Sequence, residues 1–106
     1  MLEQLKLMVG IEDAEKDKLL TQLIIMATAR LKILLGNIEP PESMEYIIIE
    51  VAVKRYNRIG SEGFENHTVE GESIAFQDSD FAEFAEEIQA FLDTQKDSAR
   101  GKLRFI

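Results

Sequence analysis

Residues 47–53 read Ile-Ile-Ile-Glu-Val-Ala-Val, a stretch that is apolar nearly all round. A surface helix of a small protein shows one apolar stripe. A collar of Ile47, Ile48, Ile49, Val51, Ala52 and Val53 must instead be covered on several sides at once. A chain of 106 residues has little interior in which to hide such a helix. The expectation is therefore that part of this surface meets another chain. The collar leads into a cationic and aromatic run, Lys54-Arg55-Tyr56-Asn57-Arg58. A break follows at Gly60-Ser61-Glu62-Gly63, then a polar loop that ends in the alternating run Ser73-Ile74-Ala75-Phe76.

The rest of the chain reads as helices. Leu2, Leu5, Met8 and Val9 mark a short amphipathic first helix, with Gly10 as its C-terminal cap. Asp13 is the best N-cap of the second helix, with Glu15 and Asp17 favouring its positive end. Leu19, Leu20, Leu23, Ile24, Ala27, Leu31 and Leu34 form its apolar face at spacings of three and four, and Gly36 stops it. Residues 37–41 are a loop, and Pro41 suits the first turn of a third helix running to about Ile59. Its Ile and Val content also suits a buried strand, but its length without a breaker decides for helix. The loop from Gly60 to Asp78 is long for so small a domain, as functional loops are, and has room for a short strand at residues 73–76. Asp80 as N-cap with Glu83 three residues on resembles a capping box. Phe81, Phe84, Ala85, Ile88, Phe91 and Leu92 then give a helical stripe, read as core. The fold class is all-α, a small bundle of four helices with a long loop between the third and fourth. Residues 1–95 make the helical domain. Residues 96–106 make a mobile tail whose Leu103 and Phe105 alternate and suit addition as an edge strand to another protein.

The net charge of −8 is unevenly placed. From Ile59 to Gln95 there is no Lys or Arg, while Glu62, Glu65, Glu70, Glu72, Asp78, Asp80, Glu83, Glu86, Glu87 and Asp93 all fall there. Duplex binding needs clustered cations, so this middle does not grip phosphates. It is a solvated acidic face, or a surface that repels DNA or meets a basic partner. The tail reverses sign, with Lys96, Arg100, Lys102 and Arg104 against Asp97. With no cysteine there is no disulfide framework and no thiolate site. No signal-peptide pattern and no apolar run of membrane-spanning length is present, so no membrane role is expected.

Catalytic chemistry finds little support. His67 is a single loop histidine, and a metal site needs several convergent ligands. Glu86-Glu87 and Asp78/Asp80 read as cap and solvated face rather than an acid–base pair. Gly60-Ser61-Glu62-Gly63 lacks the Lys-Ser/Thr of a phosphate loop. Met8, Met26 and Met44 read as gap fillers. No cofactor or metal is expected, and no enzyme activity. Arg55 and Arg58 share a helix face. They serve either as cations at a helix C-terminus or as partners for an acidic loop of an adjacent subunit, through Glu62, Glu70 or Glu72.

The order and spacing of these motifs resemble the small head–tail connector (head-completion, adaptor) proteins of long-tailed bacteriophages. The resemblance is carried by Lys54, Arg55, Tyr56, Asn57, Arg58, Ile59, Gly60, Ser61, Glu62 and Gly63, then by Val69-Glu70-Gly71-Glu72-Ser73 and Phe76. The opening Leu2 to Ile11, the long helix over Asp17 to Leu35 and the aromatic-acidic closing helix fit as well. The resemblance implies a virion protein, present in the bacterial host cytoplasm during assembly. It implies a closed homo-oligomeric ring of about twelve subunits. That ring docks under the portal protein after DNA packaging, carries a tail-side completion protein, and lets DNA pass without specific binding. It places Arg55, Tyr56, Arg58, Glu62, Glu70 and Glu72 at subunit contacts. The tail residues Arg100, Lys102, Leu103, Arg104 and Phe105 are then the expected portal-binding segment. The rival from another class is a small acidic DNA mimic that inhibits a nucleic-acid enzyme; it explains the acidic middle but neither the basic tail nor the apolar third helix.

Overall fold

The structure, a computed structural model, describes the backbone of residues 1–62 and 78–104 and the side chains of residues 1–59 and 79–96. The expected strand at residues 73–76, together with His67, Glu70, Glu72 and Phe105, lies outside the described residues. Among the described residues the elements are α1 (Leu2–Val9), α2 (Asp17–Leu34), a 3-10 turn (Glu42–Met44), α3 (Glu45–Glu62), a second 3-10 segment (Asp78–Phe84) and α4 (Ala85–Arg104). No strand occurs among them, and the fold is an all-α bundle.

Glycine sets the ends of the first two helices. Gly10 (φ 76°) and Gly36 (φ 81°) take the left-handed conformation that a side chain disfavours. Each turns the chain so that the next N–H reaches back five residues: Ile11 to the Lys6 carbonyl and Asn37 to the Lys32 carbonyl, both at 2.9 Å. These bonds satisfy carbonyls that a helix end otherwise leaves open. The start of α2 departs from the sequence expectation. Asp13 does not cap the helix; its Oδ1 accepts the Glu15 N–H at 3.0 Å, a local turn, and α2 begins only at Asp17. An Asp side chain competes well for nearby backbone donors, so it closed a turn before the helix rather than the helix itself. The Asp17 carboxylate then pairs with Lys6 at 2.8 Å and ties α2 to α1. Pro41 stands just outside the turn Glu42–Met44 in extended conformation, one position earlier than expected, and its carbonyl accepts the Met44 N–H.

The collar is buried inside the chain itself. Ile47, Ile48, Val51 and Ala52 are at most 1% exposed, and Ile49 is 8% exposed. On one side Ile47, Ile48 and Val51 pack with Ala27, Leu31 and Leu35 of α2, with Met44, and with Phe81 and Phe84. On another, Ala52 and Ile59 pack with Leu5 of α1 and with Leu20 and Leu23 of α2, flanked by Val53 and Tyr56. α3 is therefore the central helix, with α1 and α2 against one part of its surface and the second 3-10 segment against another, and with Tyr46, Glu50 and Asn57 left exposed. The collar thus needs no second chain to cover it, which removes the first reason for expecting one. α3 also runs one turn further than expected, taking Gly60, Ser61 and Glu62 into the helix.

The C-terminal half differs in two further ways. The stretch from Asp78 is helical already, so Asp80 is the third residue of a 3-10 segment and not the N-cap of an α-helix. The aromatic stripe is core, as expected: Phe81 and Phe84 are buried, and Ile88 and Phe91 pack on the same cluster. Beyond Leu92 the residues up to Lys96 are all exposed, yet the backbone stays helical to Arg104. Residues 96–104 are thus helical rather than the edge strand that the alternation of Leu103 and Phe105 suggested. Ala99 and Leu103 stand four apart and continue the spacing of Phe91 and Leu92. Of the methionines, Met44 fills the core, Met26 is half-buried and Met8 is exposed, so Met8 is no gap filler.

These packings predict how the isolated chain responds to truncation. Ile48→Ala is expected to destabilise it by about 2–5 kcal/mol, the usual cost of emptying a core site. Ile25→Ala, at a position 54% exposed, is expected to change stability by less than about 0.5 kcal/mol. Urea unfolding followed by circular dichroism checks both; an unaffected Ile48→Ala monomer would return the collar to an intersubunit role.

Candidate functional site

The cationic run after the collar meets Asp80, 25 residues away along the chain from Arg55. Lys54, Arg55 and Arg58 stand at the C-terminal half of α3 with Arg55 facing inward, because the helix repeat places residue 55 on the same face as the buried Val51 and Ile48. Arg55 and Asp80 are 2% and 3% exposed. Arg55 donates through Nε to Asp80 Oδ2 at 3.1 Å. Arg58 donates through Nη1 to the same oxygen at 3.0 Å and through Nη2 to Oδ1. The carboxylate is thus held by a bidentate Arg58 and a buried Arg55 together. Such charge-assisted, forked geometry is among the stronger polar contacts a protein makes.

Around this node the same face of α3 grips the 3-10 segment. Lys54 Nζ donates to the Asp80 main-chain carbonyl at 3.4 Å and pairs with Glu83. The Arg55 guanidinium lies 5.7 Å from the Phe81 ring centre, and Lys54 Nζ lies 5.8 Å from that of Phe84. Tyr46 meets Phe84 edge-on at 6.1 Å and donates its hydroxyl to Glu87 at 3.2 Å. Glu83, expected as the second half of a capping box, is instead the partner of Lys54. Burial works against the Asp80 charge, but the hydrogen bonds from Arg58 and Arg55, and then their charges, outweigh it and hold the carboxyl below its usual range.

Of the residues expected at subunit contacts, Arg55 is buried, Arg58 is partly exposed and Tyr56 is half-buried against the α1–α2 side of the core. The donors of Arg55 and Arg58 go at least in part to Asp80 of their own chain, an acid that the sequence reading used only as a cap. The signal that could have found it is the contrast between three cations in five residues and the next 37 residues, Ile59 to Gln95, without one. Glu62 ends α3, while Arg100, Lys102, Leu103 and Arg104 lie on the last turns of α4; the side chains of these five are outside the described residues. Among the described residues no group of three or more His, Cys, Asp or Glu side chains is placed to hold a metal ion. No helix among them is long and apolar enough to cross a membrane.

Removing Asp80 should be costly because Arg55 would be left charged and buried. Asp80→Ala is expected to lose about 3–5 kcal/mol, and pairing it with Arg55→Met should recover part of that loss. The pH dependence follows from the lowered carboxyl. Its contribution to stability is complete above about pH 4, the unfolded value, and is lost as pH falls through the lower folded value. The stability difference between the wild type and Asp80→Asn should therefore shrink on going from pH 7 to pH 3. Denaturant titrations at the two pH values check this, and a constant difference would mean that the carboxylate is not held as described.

What the arrangement does chemically is structural: it locks the 3-10 segment onto α3. Comparison with protein families agrees. The family model described as phage gp6-like head-tail connector protein matches residues 1–91. No curated protein and no solved structure matches the chain. With 91 of its 106 residues spanned by that model and a helical fold in accord with it, the chain belongs to the phage gp6-like head–tail connector family, as a structural connector of the virion.

Proposed function

We propose that the chain forms a closed homo-oligomeric ring between the portal and the tail, through which DNA passes. The observation that carries this reading is the connector family match over residues 1–91. Three features support it. The wide apolar face of α3 packs within its own chain, in two core clusters, so the subunit has a core of its own before it meets neighbours. The chain carries a net charge of −8 and has no cation between Ile59 and Gln95, which suits a wall along which a polyanion slides. The tail is cationic and continues α4, whose residues from Asp93 to Lys96 are exposed.

In this reading the end of α3 and the loop after it form one subunit contact, with Tyr56, Arg58 and Glu62 on the helix and Glu70 and Glu72 beyond it. Arg55 serves that surface from behind by fixing Asp80. Arg100, Lys102, Leu103, Arg104 and Phe105 dock on the portal, and a tail-side completion protein binds the opposite rim. Before docking, the chain resides in the host cytoplasm. The acidic DNA-mimic alternative leaves the family match unexplained.

Electron microscopy of the concentrated protein added to purified portal tests the ring. Rings stacked on the portal are expected, and deletion of residues 101–106 should keep the fold while reducing their number. A bare portal at saturating protein would remove this reading. A second expectation concerns DNA: the untagged protein should not retard duplex DNA at physiological salt. Tight binding that weakens steeply with salt would point to a protein that grips DNA rather than conducts it.

A further inference from the structure

Two apolar patches are left uncovered among the described residues, and they differ in charge. The first is a groove between α1 and α3, lined by Gln4, Leu7, Met8, Tyr46, Ile49 and Glu50. Leu7, at its edge, is 83% exposed, and Met8 and Tyr46 are exposed as well. The surroundings are acidic. Glu50 is part of the lining, Glu3 stands one turn from Leu7 along α1 in the adjoining hollow, and Glu87 holds the Tyr46 hydroxyl. The neighbouring cation, Lys6, is engaged by Asp17. Desolvation raises the Tyr46 hydroxyl above its ordinary range, and the nearby Glu87 and Glu50 carboxylates add to the shift.

The second patch is the outer face of α2. Ile25, Ala29 and Ile33 recur every four residues on that face and all are exposed. From Lys18 to Leu35 the chain has no carboxylate. Lys18 is exposed, and Lys32 makes a solvent-facing pair with Glu39, of the kind worth little. No α2 residue lines the groove, so the two patches are separate surfaces. One is apolar with an acidic rim; the other is an apolar stripe flanked by lysines.

We infer that the outer face of α2 on one copy lies in the α1–α3 groove of the next, with Ile25, Ala29 and Ile33 as anchors. This is the helix-in-groove mode, in which an apolar face with residues at turn spacing fills a hydrophobic channel. The occupant is a second copy because the same chain carries both halves of the complementarity. A contact between two different patches is heterologous, and a heterologous contact that closes gives a ring. Each subunit then makes the contact twice, once with each patch. The inference deepens the ring reading and rests on it.

The chain has no cysteine, so paired single-cysteine variants give a clean test. One tagged chain carries Leu7→Cys and a differently tagged chain carries Ile25→Cys; Ile33→Cys serves as a second probe. All three positions are exposed, so the fold should be kept, and circular dichroism checks that it is. The mixed chains are assembled on purified portal, imaged by electron microscopy and oxidised. A disulfide between the two tags is expected in the rings, and it should fall to background when Glu86→Cys replaces Ile25→Cys. Leu7→Glu, which puts a charge beside Glu50, should reduce ring yield about tenfold or more, as loss of an interface anchor does. Rings without a cross-link from either α2 probe would overturn this contact and leave the ring reading standing. A cross-link from Leu7→Cys to the portal alone would overturn it in favour of a portal segment as occupant. An absence of rings would remove the ring reading, and this contact with it.

Discussion

Ile47, Ile48, Val51 and Ala52 make up one wide face of α3, and all four are buried. That face is too broad for one neighbour to cover, so the other elements are placed against α3 from more than one direction. α1 and α2 cover one part, and Phe81 and Phe84 cover another. Most of the stability of a helix within a protein comes from packing of its apolar face, and burial on this scale is what makes the 18-residue α3 persist. Each fully buried Leu or Ile side chain contributes about 1.5–3 kcal/mol, so the collar is a large part of what holds the chain folded.

The polar part of the structure continues the same helix. Where the apolar collar ends, Arg55 and Arg58 begin, and they close on Asp80. A buried charged cluster is weak as a source of net stability, since desolvation offsets much of the attraction. What it does supply is direction: a forked guanidinium fits a carboxylate in few orientations. The 3-10 segment is therefore set at one angle on α3, and α4, which follows it without a break, takes its course from that angle. The aromatic contacts of Phe81 and Phe84 with Arg55, Lys54 and Tyr46 hold the same joint from its apolar side.

For a connector of the virion such rigidity is the useful property. A structural subunit has no substrate to position; it has to present surfaces of fixed shape to its neighbours. Under the proposed ring, the Asp80 joint fixes where α4 leaves the body and hence where the basic tail is offered. The exposed stripe on α2 lies on another element, while the groove at Leu7 borders the joint through Tyr46. Contacts around the ring would then adjoin the joint that directs contacts along its axis.

The chain by itself determined whatever depends on near neighbours. Gly10 and Gly36 end helices because the turn they make is local. The spacing of Leu20, Leu23, Ala27 and Leu31 marks the buried face of α2, and that of Phe81, Phe84, Ile88 and Phe91 marks core, because helical periodicity is a property of adjacent turns. The order of the motifs from Leu2 through Phe76 was enough to suggest the connector family. Tertiary structure decided the rest. A collar around α3 says that several sides must be covered, but not whether the cover comes from the same chain; packing of α1, α2 and the aromatic segment answered that. Arg55 and Arg58 advertise a need for an acid, yet ten acids follow within the cation-free stretch. Only the return of the chain picks out Asp80. Asp13 and Asp80 each look like helix caps in sequence, and neither is one: the first closes a turn and the second is taken by two arginines. A short acidic side chain bonds whichever donor the fold brings within about 3 Å, and spacing along the chain does not record which donor that is.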